Sequence, residues 1–180
     1  CLVGSEMCIR DSFSTGVIGE RLETKLITSA FEKCIKDFKT NNFQNLAKSI
    51  MTTDKKIKIS KTVVKVDNKK FSIVGVAKGV GMIEPNMATT LSFIFTDLKI
   101  PESTLKKIHK NICDETFNSI SVDGEQSPSD SSILVATGKN LIESPKLLRT
   151  FEGSLQKIFT DLSEKLLLDG EGATLSLIHI

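Results

Sequence analysis

Thr89 follows a small residue, Ala88, within the stretch KGVGMIEPNMATTLSFIFTD that runs from Lys78 to Asp97. A threonine hydroxyl is a weak nucleophile until a base stands beside it. The nearest base for Thr89 is its own α-amine, available once the Ala88-Thr89 peptide bond is cut. A free α-amine titrates near ~7.7–8.0 and a lysine near ~10.4, so near neutral pH only the amine is substantially unprotonated without further tuning. The pair therefore reads as a self-cleavage site that liberates an N-terminal threonine nucleophile.

Other chemistries have less behind them. In GVAKGVGM the lysine, Lys78, lacks the GK[ST] ending of a nucleotide-binding loop. A histidine-dependent triad would have to use His109 or His179, and His109, in LKKIHKNI, is expected at the surface of an amphipathic helix. Cys34 and Cys113 stand apart, without metal-ligand spacing or a paired disulfide framework, and no metal site is expected. Lys55, Lys56, Lys58, Lys61 and Lys65 are expected on a solvated strand face. With a formal charge of +2 and no apolar run near the ~18–20 residues of a membrane span, neither nucleic acid nor membrane is an expected partner. A soluble, cytoplasmic protein is the expectation.

The elements that would position Thr89 are legible as a pattern. Apolar residues from Leu26 to Phe38 recur at spacings of three and four, which predicts a helix over 23–38 facing a core. A second short helix is expected over 43–51. Residues 57–66 and 69–76 are β-branched or alternating, with Asp67-Asn68 between them as turn residues, and read as a hairpin that delivers Lys78 to the cleavage loop. LSFIF, 91–95, is short and apolar enough for a buried strand, a rigid mount for a new chain terminus at Thr89. A helix starting at Pro101, a strand over 132–136 and a long amphipathic helix over 145–168 complete an α/β layered sandwich of mixed β-sheet and helices.

The stretch from Lys78 to Asp97 closely resembles the processing-site signature of the bifunctional ornithine acetyltransferase (glutamate N-acetyltransferase) family of arginine biosynthesis. Four further segments resemble that family in the same order: STGVIG (14–19), IMTTD (50–54), ETFNSISVDGEQSPSD (115–130) and LLLDGEGAT (166–174). The resemblance implies the ornithine acetyltransferase fold and self-cleavage at Ala88-Thr89. It also implies transfer of an acetyl group from N-acetylornithine to glutamate through an acetyl-Thr89 intermediate. By the same resemblance Thr15 (side-chain hydroxyl) and Gly16 (backbone N–H) form the oxyanion hole, and Thr52, Lys78, Thr89 and Glu171 contact substrate. Thr52 is preferred to Thr53 for its separation from Lys78. No bound cofactor is implied, although acetyl-CoA is a possible co-substrate, and two copies of each cleaved chain would form a heterotetramer. Thr90 stands where the family commonly has methionine, and Glu84 adds an acid close to the scissile loop.

The end segments 1–12 and 175–180 resemble translated sequencing-adaptor read-through and are set apart from the fold. That leaves 13–88 as the last part of a first (α) subunit and 89–174 as the first part of a second (β) subunit, so the chain reads as an internal fragment. Two other classes stay open: an N-terminal-threonine amidohydrolase or aminopeptidase, in which water accepts the acyl group, and a non-catalytic α/β fragment with an uncut bond.

Overall fold

In the computed structural model, residues 19–36, 42–67, 69–84, 90–125, 127, 130–141 and 144–170 are described. The sheet begins with a hairpin. Strand β1 (Lys58–Val66) pairs antiparallel with β2 (Lys69–Lys78) from Lys58↔Ala77 to Val66↔Lys69, turning at Asp67, which takes a positive φ of 53°. Strand β3 (Leu91–Lys99) adds antiparallel to β2, with Lys78 opposite Leu91. The last strand, β4 (Ser131–Leu141), pairs parallel with β3 from Leu91↔Ser131, which requires the crossover supplied by helix α3 (Glu102–Glu115). The sheet order is β1-β2-β3-β4. This is the mixed sheet with helices that the sequence predicts, with β2, β3 and β4 all longer than their apolar cores suggest.

Alternation along the strands places Phe71, Ile73, Ile94, Leu98 and Leu134 on one face. Helix α4 (Pro145–Asp169) lies across it. Its N-terminus is set by Pro145 and by Ser144, whose Oγ accepts the Leu147 N–H at 3.2 Å. The stripe Leu147, Phe151, Leu155, Ile158, Phe159, Leu162 and Leu166 is buried, and each such side chain contributes roughly 1.5–3 kcal/mol on leaving water. Gly75 allows the helix this close. A Cβ there would stand 2.8 Å from Leu162 Cδ1 and 3.0 Å from Ile158 Cγ2, so any side chain would force the packing of α4 on the sheet to shift.

The opposite sheet face carries Val74, Phe93, Phe95, Ile133 and Val135, all half-buried. Helix α2 (Phe43–Ser49) covers part of it, with the Phe43 and Phe95 rings 5.6 Å apart. Helix α1 (Thr24–Lys36) forms where its periodicity predicts, but the expected core is missing. Leu26, Ile27, Phe31 and Ile35 are 52–69% exposed, and no described element packs on their stripe. No helix of the described residues is long and apolar enough to cross a membrane.

Two further expectations are corrected. Lys58 is not on a solvated face: it is 1% exposed, because its position in the β1 alternation turns it to the α4 side. His109 is not a surface histidine. Its ring lies edge-on to Phe159 at 5.8 Å and its Nε2 is 2.8 Å from Ser132 Oγ, and burial lowers its pKa.

Candidate active site

Lys78 ends β2 and is 1% exposed. Among the described residues its Nζ meets no hydrogen-bond partner. Burial lowers the lysine's pKa, opposed by the negative charges of Asp54 and Asp130 and assisted by the positive charge of Lys58. A buried ammonium in this state is a strong anchor for an anion, since pairing recovers much of what desolvation costs.

Beyond Lys78 the chain turns sharply. Gly79 has a φ of 148°, which favours glycine, and a Cβ there would stand 3.3 Å from Leu166 Cδ2. The Gly79 N–H donates to Asp54 Oδ1 at 2.8 Å. Farther along, the Asp123 carboxylate accepts the N–H groups of Met82 and Ile83, and the Val122 N–H donates to the Ile83 carbonyl at 2.7 Å, fixing the loop to the segment that follows α3.

Asp54 belongs to a buried ionic cluster. Lys58 Nζ lies 2.6 Å from Asp54 Oδ1 and 2.6 Å from Asp169 Oδ2, all three side chains being at most 3% exposed. Asp169 Oδ2, on the last residue of α4, also accepts the N–H groups of Lys55 (3.1 Å) and Lys56 (3.3 Å), while Asp54 Oδ2 accepts the N–H of Thr52 at 3.3 Å. Burial alone would raise the Asp54 pKa. The Lys58 hydrogen bond, the Gly79 N–H, the Lys58 charge and the Thr52 N–H outweigh it and hold the carboxyl below its usual range. The cluster gathers three segments: the loop carrying the exposed Thr52, the β2 end carrying Lys78, and the end of α4 that leads to Glu171.

On the far side of the loop, Thr90 is 2% exposed. Its N–H donates to Asp130 Oδ1 at 2.7 Å, and its carbonyl accepts the Ser131 N–H at 2.9 Å. The Asp130 carboxyl is pushed up to about 6, chiefly by burial and against the pull of the Thr90 N–H and the Lys78 charge.

Of the residues predicted from sequence, Lys78 and Thr52 are therefore brought to one end of the sheet. Ala88, Thr89, Thr15, Gly16 and Glu171 lie outside the described residues. Sequence reasoning missed Asp54, Lys58, Asp169 and Asp130, although Asp54, Asp130 and Asp169 lie inside the quoted motifs. The available signal for Lys58 was its position: a lysine on the inward side of an alternating strand needs a carboxylate partner.

The ArgJ family signature matches residues 7–180. The chain belongs to the ArgJ family. Among its curated relatives, the arginine biosynthesis bifunctional protein ArgJ of Thermotoga neapolitana is 40% identical over 167 residues, covering 89% of this chain and 41% of that protein. The glutamate N-acetyltransferase of Methanococcus vannielii is 40% identical over 165 residues, covering 90% of this chain and 40% of that one. The arginine biosynthesis bifunctional protein ArgJ 2 of a Nostoc species reaches 44% over 161 residues, with 89% and 40% covered. The chain thus spans about 40% of the length of the relatives it matches.

Proposed function

We propose that this ArgJ-family chain carries the nucleophile and part of the substrate site of an acetyltransferase of arginine biosynthesis. Thr89 Oγ first attacks the Ala88 carbonyl, forming an ester by N-to-O acyl shift with the α-amine of Thr89 as leaving group. Water then hydrolyses the ester, leaving a carboxylate on Ala88 and a free amine and hydroxyl on Thr89. In turnover the Thr89 amine takes the hydroxyl proton while Oγ attacks the acetyl carbonyl of N-acetylornithine, and ornithine leaves with the proton. The amine of glutamate attacks acetyl-Thr89, N-acetylglutamate departs, and the hydroxyl is restored.

Negative charge builds on the carbonyl oxygen in each step, and Thr15 and Gly16 donate to it. Losing one such donor typically costs ~10²–10³ in turnover. Lys78 takes a substrate carboxylate, Thr52 offers a neutral donor and acceptor, and Glu171 holds a substrate ammonium. The observation that carries the reading is the buried Lys78 ammonium, unpartnered among the described residues, one strand away from the Thr90 clamp and at the head of the KGVGMIEPNMATT segment. The intact enzyme is cytoplasmic, works without a bound cofactor, and assembles from two copies of each cleaved chain.

A product assay tests it, in a chain of the relatives' full length that carries these residues. Incubated with N-acetylornithine, the enzyme forms N-acetylglutamate, and releases ornithine beyond one equivalent per site, only when glutamate is present. Release of free acetate at the same rate with or without glutamate would instead identify a threonine-nucleophile hydrolase. Replacing N-acetylornithine by acetyl-CoA in this assay reads out the second acetyl donor.

A further inference from the structure

Thr90 and Asp130 meet although 40 residues separate them. Parallel pairing of β3 with β4 begins one residue farther on, at Leu91↔Ser131. The Thr90 carbonyl is taken by the Ser131 N–H in the ordinary way of a sheet, but the Thr90 N–H is taken by a carboxylate. A backbone carbonyl would satisfy that N–H with no charge to bury. Here the fold instead keeps a half-buried acid at the sheet end, within the electrostatic reach of Lys78 and next to the residue that follows Thr89.

We propose that Asp130 is a positioning residue for the Thr89 nucleophile: through its hydrogen bond to the Thr90 N–H it fixes the peptide plane that joins Thr89 to β3. This deepens the acetyltransferase reading and rests on it. Before cleavage the bond limits rotation of the segment that must carry Thr89 Oγ onto the Ala88 carbonyl. After cleavage it matters more, because a chain terminus frays unless its backbone is held. With N–H and carbonyl of Thr90 both fixed, the Thr89 amine and hydroxyl keep few rotatable bonds, and misplacement of a reacting atom by about 1 Å can cost ~10²-fold in rate. A hydrogen bond to an ionised acceptor is roughly twice as strong as a neutral one. Asparagine at this position should therefore hold the peptide less firmly than aspartate, and alanine should not hold it at all.

The test compares Asp130→Asn and Asp130→Ala with wild type in a chain of the relatives' full length, measuring kcat and KM for N-acetylornithine per cleaved chain. Thermal midpoints serve as the control for folding. Expected are a kcat about 5–10-fold lower for Asn and about 50–100-fold lower for Ala, with KM within about threefold of wild type, as for misplacement of a catalytic group without loss of substrate contacts. Failure of a folded variant to cut itself supports the proposal equally, since cutting uses the same hydroxyl. Wild-type kcat in either variant, or a loss falling wholly on KM, overturns it. If Ala does not fold, the Asn variant decides alone. A wild type that neither cuts itself nor transfers acetyl defeats the acetyltransferase reading and this proposal together, whereas an active wild type beside equally active variants defeats this proposal only.

Discussion

At the scale of single residues, the two described carboxylates around Lys78 are tuned in opposite directions. Asp54, inside a net of donors, is held below its usual range, so it contributes stability above about pH 4 that is lost as the pH falls through its folded value. Asp130, raised from 3.8 to about 6, binds its proton more tightly when folded. Its contribution is fully present below about pH 4 and is lost as the pH rises through about 6. Urea midpoints of wild type and Asp130→Asn between pH 4 and 7 should therefore diverge. The wild type loses stability over this range relative to the variant, and parallel profiles would contradict the assignment. Lys78 was legible in the sequence because its motif names it. Asp130 was not, although ETFNSISVDGEQSPSD ends on it, because only the parallel register brings it to Thr90.

At the scale of elements, the cluster of Asp54, Lys58 and Asp169 ties the loop before β1 and the end of β2 to the end of α4. Removing one member leaves buried charge uncompensated, which costs about 3–5 kcal/mol, whereas an exposed pair is worth under about 1 kcal/mol. Asp169→Asn should thus lower unfolding free energy far more than Lys146→Ala, which breaks the exposed pair of Lys146 with Asp67. Equal losses in a denaturant titration would show that the cluster does not hold these elements together. The hairpin, β3, α3 and α4 were readable because periodicity and turn residues are local signals. Lys58 was misread because its second carboxylate lies 111 residues away, beyond any local pattern. His109 was misread for a similar reason: its neighbours, Ser132 and Phe159, come from β4 and α4. For α1 the helix was readable but not its exposure, since a hydrophobic stripe shows that a face is apolar without showing what covers it.

At the scale of the whole molecule, the four-stranded sheet works as a frame with one equipped end. The end of β2 brings Lys78, the start of β3 brings Thr90, the start of β4 brings Asp130, and the end of α4 brings Asp169. In sequence, 85–89 lies between Lys78 and Thr90, and the proposed function puts its nucleophile, Thr89, there. Intact mass spectrometry of a folded chain of the relatives' full length carrying these residues tests this most directly. The account predicts two polypeptides whose masses place the break between Ala88 and Thr89, and a single uncut chain for Thr89→Ala. A folded wild type that remains one uncut polypeptide would contradict it.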